Sequence, residues 1–395
     1  MIIILAISFI ILIFLGIPIA LSLGIASWIT LSIDGRYPLE MIAHKMANGV
    51  NSFPLVAVPL FILVGSLASK TSIAKRLVIF SNALVGHIRG GLGHVNVLAS
   101  MFFGGISGAA VADTASIGSL LIPSMEKEGY SPEDSAAITI CSSTIGILIP
   151  PSIPMVIYGV TIGVSIGKLF IGGLIPGILV GLLQMIAVYL VSKKKNYVIR
   201  QKRASRGELW SSFKQSFLSL LLPLFLLGSI SFGITTATEA GVIGVIYILV
   251  LCGLVYKELN LKELFQMLIE SAINTAIPLF LVSTASVTAW IISMERIPDK
   301  LVVGITSLNL HPIILMIVIN VFLLVVGMFM DLIPALILFA PILLPLALEI
   351  GITPVQFGVI MVVNLGIGLV TPPVGNCLFL GCSIAKVEIE RMIKV

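Results

Sequence analysis

The stretch STIGILIPPSIPMVIYG, Ser143 to Gly159, decides how this chain must fold. It is apolar enough for a membrane interior, yet Pro150 and Pro151 stand side by side near its middle. Each proline lacks an N–H donor and clashes with the carbonyl four residues earlier, so the pair interrupts any helix running through it. In hydrocarbon each freed backbone group would cost several kcal/mol, so the break must face protein or a wet cavity. A second pair, Pro372 and Pro373 in VNLGIGLVTPPVGN, makes the same demand.

The composition agrees with a bilayer as solvent. Of 395 residues, 58% are hydrophobic and 10% charged, and the mean hydropathy is +1.16, which places the chain among polytopic membrane proteins. The net charge of +5 sits in short loops without interleaved aromatics, which reads as membrane topology and not as a nucleic-acid patch. Cys141, Cys252, Cys377 and Cys382 lie in apolar surroundings without CxxC spacing, so neither disulfides nor zinc are expected. His44, His87, His94 and His311 are equally scattered. GVSIGK at Gly163 is one spacer short of a P-loop, and GLGHVN at Gly91 fails the dinucleotide pattern. The segment MIIILAISFIILIFLGIP lacks a charged leader region and is expected to stay in the membrane.

The chain also reads as two copies of one plan. PLFILVGSLAS from Pro59 answers PLFLVSTASVT from Pro278, a shift of 219. Asp113 and Pro123 answer Asp331 and Pro341 at 218; GYSP at Gly129 answers GITP at Gly351, and Pro150-Pro151 answers Pro372-Pro373, both at 222. A colinear series of this kind indicates an internal duplication. Between the copies, KKKNYVIRQKRASRGE holds Lys193, Lys194, Lys195, Arg200, Lys202, Arg203 and Arg206 before its first acid, Glu208. The positive-inside rule makes this linker, 193–210, cytoplasmic. The halves are then 1–192 and 211–395. If the runs at 97–125 and 312–346 are re-entrant hairpins, each half has an odd number of crossings and the second copy is inverted. The first hairpin then opens to the cytoplasm and the second to the periplasm. KTSIAKRLVIFSNALVGHIRG, about 70–90, reads as an interfacial arm helix with a counterpart near MERIPDK.

Two repeat-related pairs of elements carry the chemistry. FFGGISGAAVADTASIGSLLIP and GMFMDLIPALILFAPILLP are the hairpins. Their small residues serve close packing, but an aspartate in such a run is costly and marks a function. Asp113 and Asp331 either touch an ion or cap a half-helix by accepting backbone N–H bonds. The broken helices, about 136–165 and 355–385, offer carbonyls at Gly146 to Ile149 and Gly366 to Thr371 as hard oxygen ligands for Na+. Half-helix N-termini beyond the breaks suit a carboxylate.

GGISGAAVADTASIG, ILIPPSIPMVIYG, DLIPALILFAPILLP and TPPVGNCLFLGCSIA, in this order, resemble the large membrane subunit of tripartite ATP-independent periplasmic (TRAP) transporters. The resemblance runs along nearly the whole chain. It implies an all-α polytopic protein of the bacterial inner membrane with elevator-type ion-transporter architecture, namely two inverted repeats with re-entrant hairpins and discontinuous helices. It further implies Na+-coupled import of an organic acid, of the C4-dicarboxylate or sialic acid class. The partners implied are a periplasmic substrate-binding protein and a small four-helix membrane subunit. Carried over residue by residue, one Na+ site would use Ser107, Gly108, Asp113 and Gly146, and the other Met328, Asp331, Gly366, Gly368 and Thr371. Substrate would lie near Ser142, Ser143, Pro150, Pro151, Pro372, Pro373, Gly375 and Asn376. The family continues past ERMIKV into a final helix, so that crossing is expected to be missing here. The rivals are an intramembrane aspartyl protease, which would need both carboxylates at one water and finds no GxGD string, and a passive anion channel.

Overall fold

The structure is a computed structural model and describes residues 1–197, 202–306 and 310–393. Among them every regular element is helical. The first half contains α1 (Ile2–Phe14), α2 (Ile19–Asp34), α3 (Glu40–Val50), α4 (Ala57–Lys70), α5 (Ile73–Val85), α6 (Gly91–Ser107), α7 (Ala110–Lys127), α8 (Pro132–Ser143), α9 (Ile153–Ile162) and α10 (Ile166–Lys194). The second contains α11 (Arg206–Ser231), α12 (Ala237–Val250), α13 (Leu261–Met294), α14 (Ile297–Thr306), α15 (Pro312–Phe329), α16 (Leu332–Glu349), α17 (Pro354–Gly368) and α18 (Asn376–Ala385). Seven helical segments among the described residues are long and apolar enough to cross a bilayer.

The apolar runs become helices with ends set by local chemistry. The run 272–292 extends back to Leu261, because Asn260 caps the helix by accepting from the Lys262 N–H at 3.2 Å. The 34-residue α13 is therefore about 50 Å long, more than the hydrocarbon thickness. The run 48–69 is divided, since Pro54 lies in a short 3₁₀ turn, Phe53–Val56, between α3 and α4. The arm is α5, with Ile73, Ala74, Leu77 and Ser81 buried on one face and Lys75 and Ile79 exposed. It packs against α6 and α11. The residues near MERIPDK lead into α14.

Both hairpins form. α6 turns into α7 through Gly108, whose φ of +62° is open to glycine, and α15 turns into α16 through Met330 and Asp331. Both broken helices form as well. α8 runs into a 3₁₀ turn, Thr144–Ile147, and resumes as α9 beyond Pro150-Pro151; α17 stops at Gly368 and resumes as α18 beyond Pro372-Pro373. Both Pro-Pro bonds are cis.

Element ends correct one register. α6 and α15 end at Ser107 and Phe329, α7 and α16 begin at Ala110 and Leu332, and α8 and α17 begin at Pro132 and Pro354, each 222 apart. At this offset Pro123 answers Pro345, and Asp113 answers Ala335, so the pairing of Asp113 with Asp331 at 218 is four residues out. Four residues are just over one helical turn, so both registers keep aspartate and proline on one helix face. The two carboxylates are not equivalent positions.

The halves interlock. α9 packs on α16, and α18 packs on α7 and α8, so each resumed helix lies against the other half's hairpin. Gly381 allows the approach of α18 to α8, with Ile140 filling the space a side chain would take, and Ile384 of α18 lies in ordinary contact range of Gly118. Tyr158 on α9, fully buried, donates to the Pro354 carbonyl at the start of α17 (2.7 Å).

Candidate functional site

Each hairpin tip touches the break of its own half through paired glycines. A Cβ on Gly104 would lie 2.7 Å from the Gly146 Cα, and one on Gly368 would lie 2.6 Å from the Gly327 carbonyl carbon. At the offset of 222 Gly146 answers Gly368, while Gly327 answers Gly105, one residue beyond Gly104, so the facing glycine differs by one residue between the halves. The tip is also bonded beyond the prolines, where the Gly108 carbonyl accepts from the Ile153 N–H (3.1 Å) and the Met328 carbonyl from the Val374 N–H (3.2 Å). Ser152 closes the first break by donating to the Ile147 carbonyl (2.6 Å) and accepting from the Met155 N–H (3.3 Å). In the second, the Thr371 hydroxyl donates to the Ile367 carbonyl (2.6 Å).

Asp113 is completely buried in the first turn of α7. Ala109, not Asp113, holds the N-cap position, so the capping role does not apply to it. Neither of its oxygens has a hydrogen-bond partner, and the Ser107 and Ser116 hydroxyls are buried and unpartnered too. Gly146 faces it: a Cβ there would stand 3.7 Å from the Asp113 Cβ and 3.8 Å from the Ala109 carbonyl oxygen. Ser107, Gly108, Asp113 and Gly146 are thus gathered around one tip. A carboxylate buried here, with the Ser100 hydroxyl near it and no protein cation paired to it among the described residues, is costly to ionise, so this position calls for a cation or a proton.

The second tip is built differently. Asp331 is the N-cap residue of α16 but makes no cap hydrogen bond, and its neighbour is the Asn376 side chain. Met328 and Gly368 join the tip-to-break contacts and Thr371 bonds only within the break, whereas Gly366 faces Ile147 of the other break, with a Cβ only 2.6 Å from its Cδ1. Pro150 and Pro151 are buried, while Pro373 and Asn376 are exposed and Gly375 is buried between them. Ser142 points into α6, donating to Asn96 Oδ1 (2.8 Å), and Ser143 donates to the Ile140 carbonyl (2.7 Å).

Some polar residues of the site have no place in the motif reading. Asn96 on α6 also donates to Thr139 (2.7 Å), and Asn364 on α17 donates to Asn320 Oδ1 on α15 (2.9 Å), so each hairpin's first helix is tied to the helix before the break. At the offset of 222 Asn364 answers Ser142 and Asn96 answers Val318, so the repeat itself gave no signal for these residues. Cys377, at the start of α18, is fully buried between the Thr114 and Ser143 hydroxyls and near both Asp113 and Asp331. No group of three His, Cys, Asp or Glu side chains converges among the described residues.

Two hairpins pressed on two broken helices within a set of membrane-length crossings define a multi-pass integral membrane transport fold. The crystal structure of the YdaH transporter of Alcanivorax borkumensis shares it, with a TM-score of 0.57 over 90% of this chain and 84% of that one at 15% identity. Residues 6–395 match the family described as Tripartite ATP-independent periplasmic transporter, DctM component. The sialic acid TRAP transporter large permease protein SiaM of Vibrio cholerae is 38% identical over 97% of this chain and 90% of its own length. The C4-dicarboxylate TRAP transporter large permease protein DctM of Pseudomonas aeruginosa is 37% identical over 94% and 87%. The chain belongs to the large permease subunits of TRAP transporters; it is a multi-pass protein of the bacterial inner membrane and a permease, not an enzyme.

Proposed function

We propose that this subunit imports an organic acid anion, of the C4-dicarboxylate or sialic acid class named for its relatives, by coupling it to Na+. A periplasmic binding protein delivers the substrate and a small four-helix membrane subunit completes the permease. The observation that carries the reading is Asp113, buried with both oxygens unpartnered beside Gly146. Its carboxylate with the Ser107 hydroxyl and nearby carbonyls is a hard oxygen set suited to Na+. The resumed helices α9 and α18 start at the breaks, where their N-termini favour a carboxylate.

In this reading the halves are inverted repeats, 1–192 and 211–395, joined by a cytoplasmic linker at 193–210, and the hairpin and broken-helix unit moves as an elevator against the rest. Occupied Asp113 loses its electrostatic cost, and the tip settles on Gly146. A charge crossing 100 mV is worth ~2.3 kcal/mol, so a dianion needs more than two Na+ to be drawn into a negative-inside cell. Reconstitution with the two partners tests this. Uptake should require Na+ and carry inward positive current with a dianion, and Asp113→Asn should abolish the Na+ dependence. Full Na+ dependence in a folded Asp113→Asn protein would sink the assignment, and non-concentrative uptake would favour a passive channel.

A further inference from the structure

Beside the first break, where it reaches Pro150 of the expected substrate set, a cavity of about 460 Å³ opens between α5, α6, α10 and α11. Phe80, Leu98, Ile178 and Phe213 represent its walls, which are almost entirely carbon. One side reaches Gly105 and Pro150, so the groove has the first hairpin and break on one wall and the arm and α11 on the other. Its size is that of a small-ligand site. It is open along α11, where Phe217 is 45% and Leu224 67% exposed.

The lining of α11 shows what fits. Phe213, Phe217, Leu220, Leu224 and Leu227 succeed one another at spacings of four and three, one helix face. The same spacing continues beyond the groove to Trp210 and Arg206, at the first turns of α11. Trp210 stacks on Phe213 (5.7 Å between centroids), which meets Phe80 of the arm at 5.8 Å. Arg206 is exposed and makes no ion pair among the described residues. An apolar slot, then an aromatic ring at its mouth, then an exposed cation reproduces the order of acyl chain, interface and phosphate in a phospholipid.

We propose that the groove holds one acyl chain of an anionic phospholipid, with its phosphate at Arg206. The chain would then touch both the hairpin wall and the arm wall. This rests on the chain being embedded in a bilayer and does not depend on Na+ coupling.

The test uses the purified subunit in nanodiscs containing phosphatidylglycerol or phosphatidylcholine with a diazirine on the acyl chain, crosslinked by light and mapped by mass spectrometry. Phosphatidylglycerol should label the α6 and α11 groove peptides about fivefold more than phosphatidylcholine, the worth of one interfacial cation. The lipid-facing α15 should be labelled equally by both. Arg206→Gln should erase the preference and Lys214→Gln should keep it. Leu221→Trp, at the rim, should reduce groove labelling while leaving α15 unchanged. Groove labelling no stronger than that of α15, or a preference surviving Arg206→Gln, overturns the proposal. Loss of groove labelling on adding the small membrane subunit also overturns it, by showing that protein covers the groove.

Discussion

Alanine at Gly104, a residue outside the proposed ligand set, should weaken Na+ binding by displacing Gly146, which belongs to that set. The new Cβ would stand 2.7 Å from the Gly146 Cα and 3.3 Å from its nitrogen, both main-chain atoms that cannot rotate away. Ordinary contact begins near 3.4 Å, so α6 and the break must separate by about 0.7 Å. Overpacking of this kind costs about 1–3 kcal/mol. If the cost falls on the state in which the tip meets the break, Na+ half-saturation rises about 5- to 150-fold. Na+ titration of uptake in proteoliposomes containing all three components measures it. Gly172→Ala is the control, since its Cβ would meet only Val355 and Val359 at 3.5 Å and should leave half-saturation unchanged. Gly368→Ala, 2.6 Å from the Gly327 carbonyl carbon, should repeat the Gly104 effect. A folded Gly104→Ala protein with unaltered half-saturation would show that the glycine contact does not shape the site.

Other contacts give three further expected outcomes. Lys195 donates to both oxygens of Asp134 (2.6 and 2.7 Å), Tyr197 and Ser131 donate to one of them, and Tyr130 stacks on Tyr197, binding the start of α8 to the end of α10. Burial of Asp134 opposes its charge, but the bonds from Lys195, Tyr197 and Ser131 prevail and hold its carboxyl below the ordinary 3.8. The unfolded chain therefore takes up the proton first, so this stability is complete above about pH 4 and is lost as pH falls through the folded value. Asp134→Asn should lower the melting temperature at pH 7 and flatten its decline in acid, and an unchanged acid limb would count against the clamp. Tyr158→Phe should cost about 0.5–1.5 kcal/mol by removing the bond to Pro354, read as a lower melting temperature at unchanged Na+ half-saturation. Asn96→Ala should cost about 1–3 kcal/mol by leaving buried polar groups of α8 short of a partner, and melting equal to the parent's would refute that network.

The sequence was most legible where a residue type has one physical reading. Paired prolines cannot continue a helix, and both breaks lie where the pairs stand. Small residues ahead of Asp113 mark the first hairpin. What local pattern could not supply was packing between distant segments. Nothing in CLFLGCSIA names α7 and α8 as its neighbours, and the closeness of Cys377 to Thr114 and Ser143 exists only once the halves interlock. Asn96 and Asn364 acquire a role only through their partners on facing helices.

Periodicity misleads at the two aspartates, and the corrected register separates their roles. A slip of four residues preserves the helix face, so Asp113 and Asp331 looked equivalent while standing at different steps of their hairpins. Asp113 lies one turn inside α7, sealed from solvent and without a hydrogen-bond partner. Asp331 lies at the helix start beside the exposed Asn376. Gly146 and Gly368 thus keep the repeat at the two breaks, while the glycine facing each is displaced by one residue and the acidic side chains by four. A carboxylate with no partner carries the larger electrostatic cost, so Na+ should raise the melting temperature mainly through Asp113. Asp113→Asn should remove most of the Na+-dependent shift and Asp331→Asn less of it. Equal losses in the two variants would restore the equivalence that the helix ends deny.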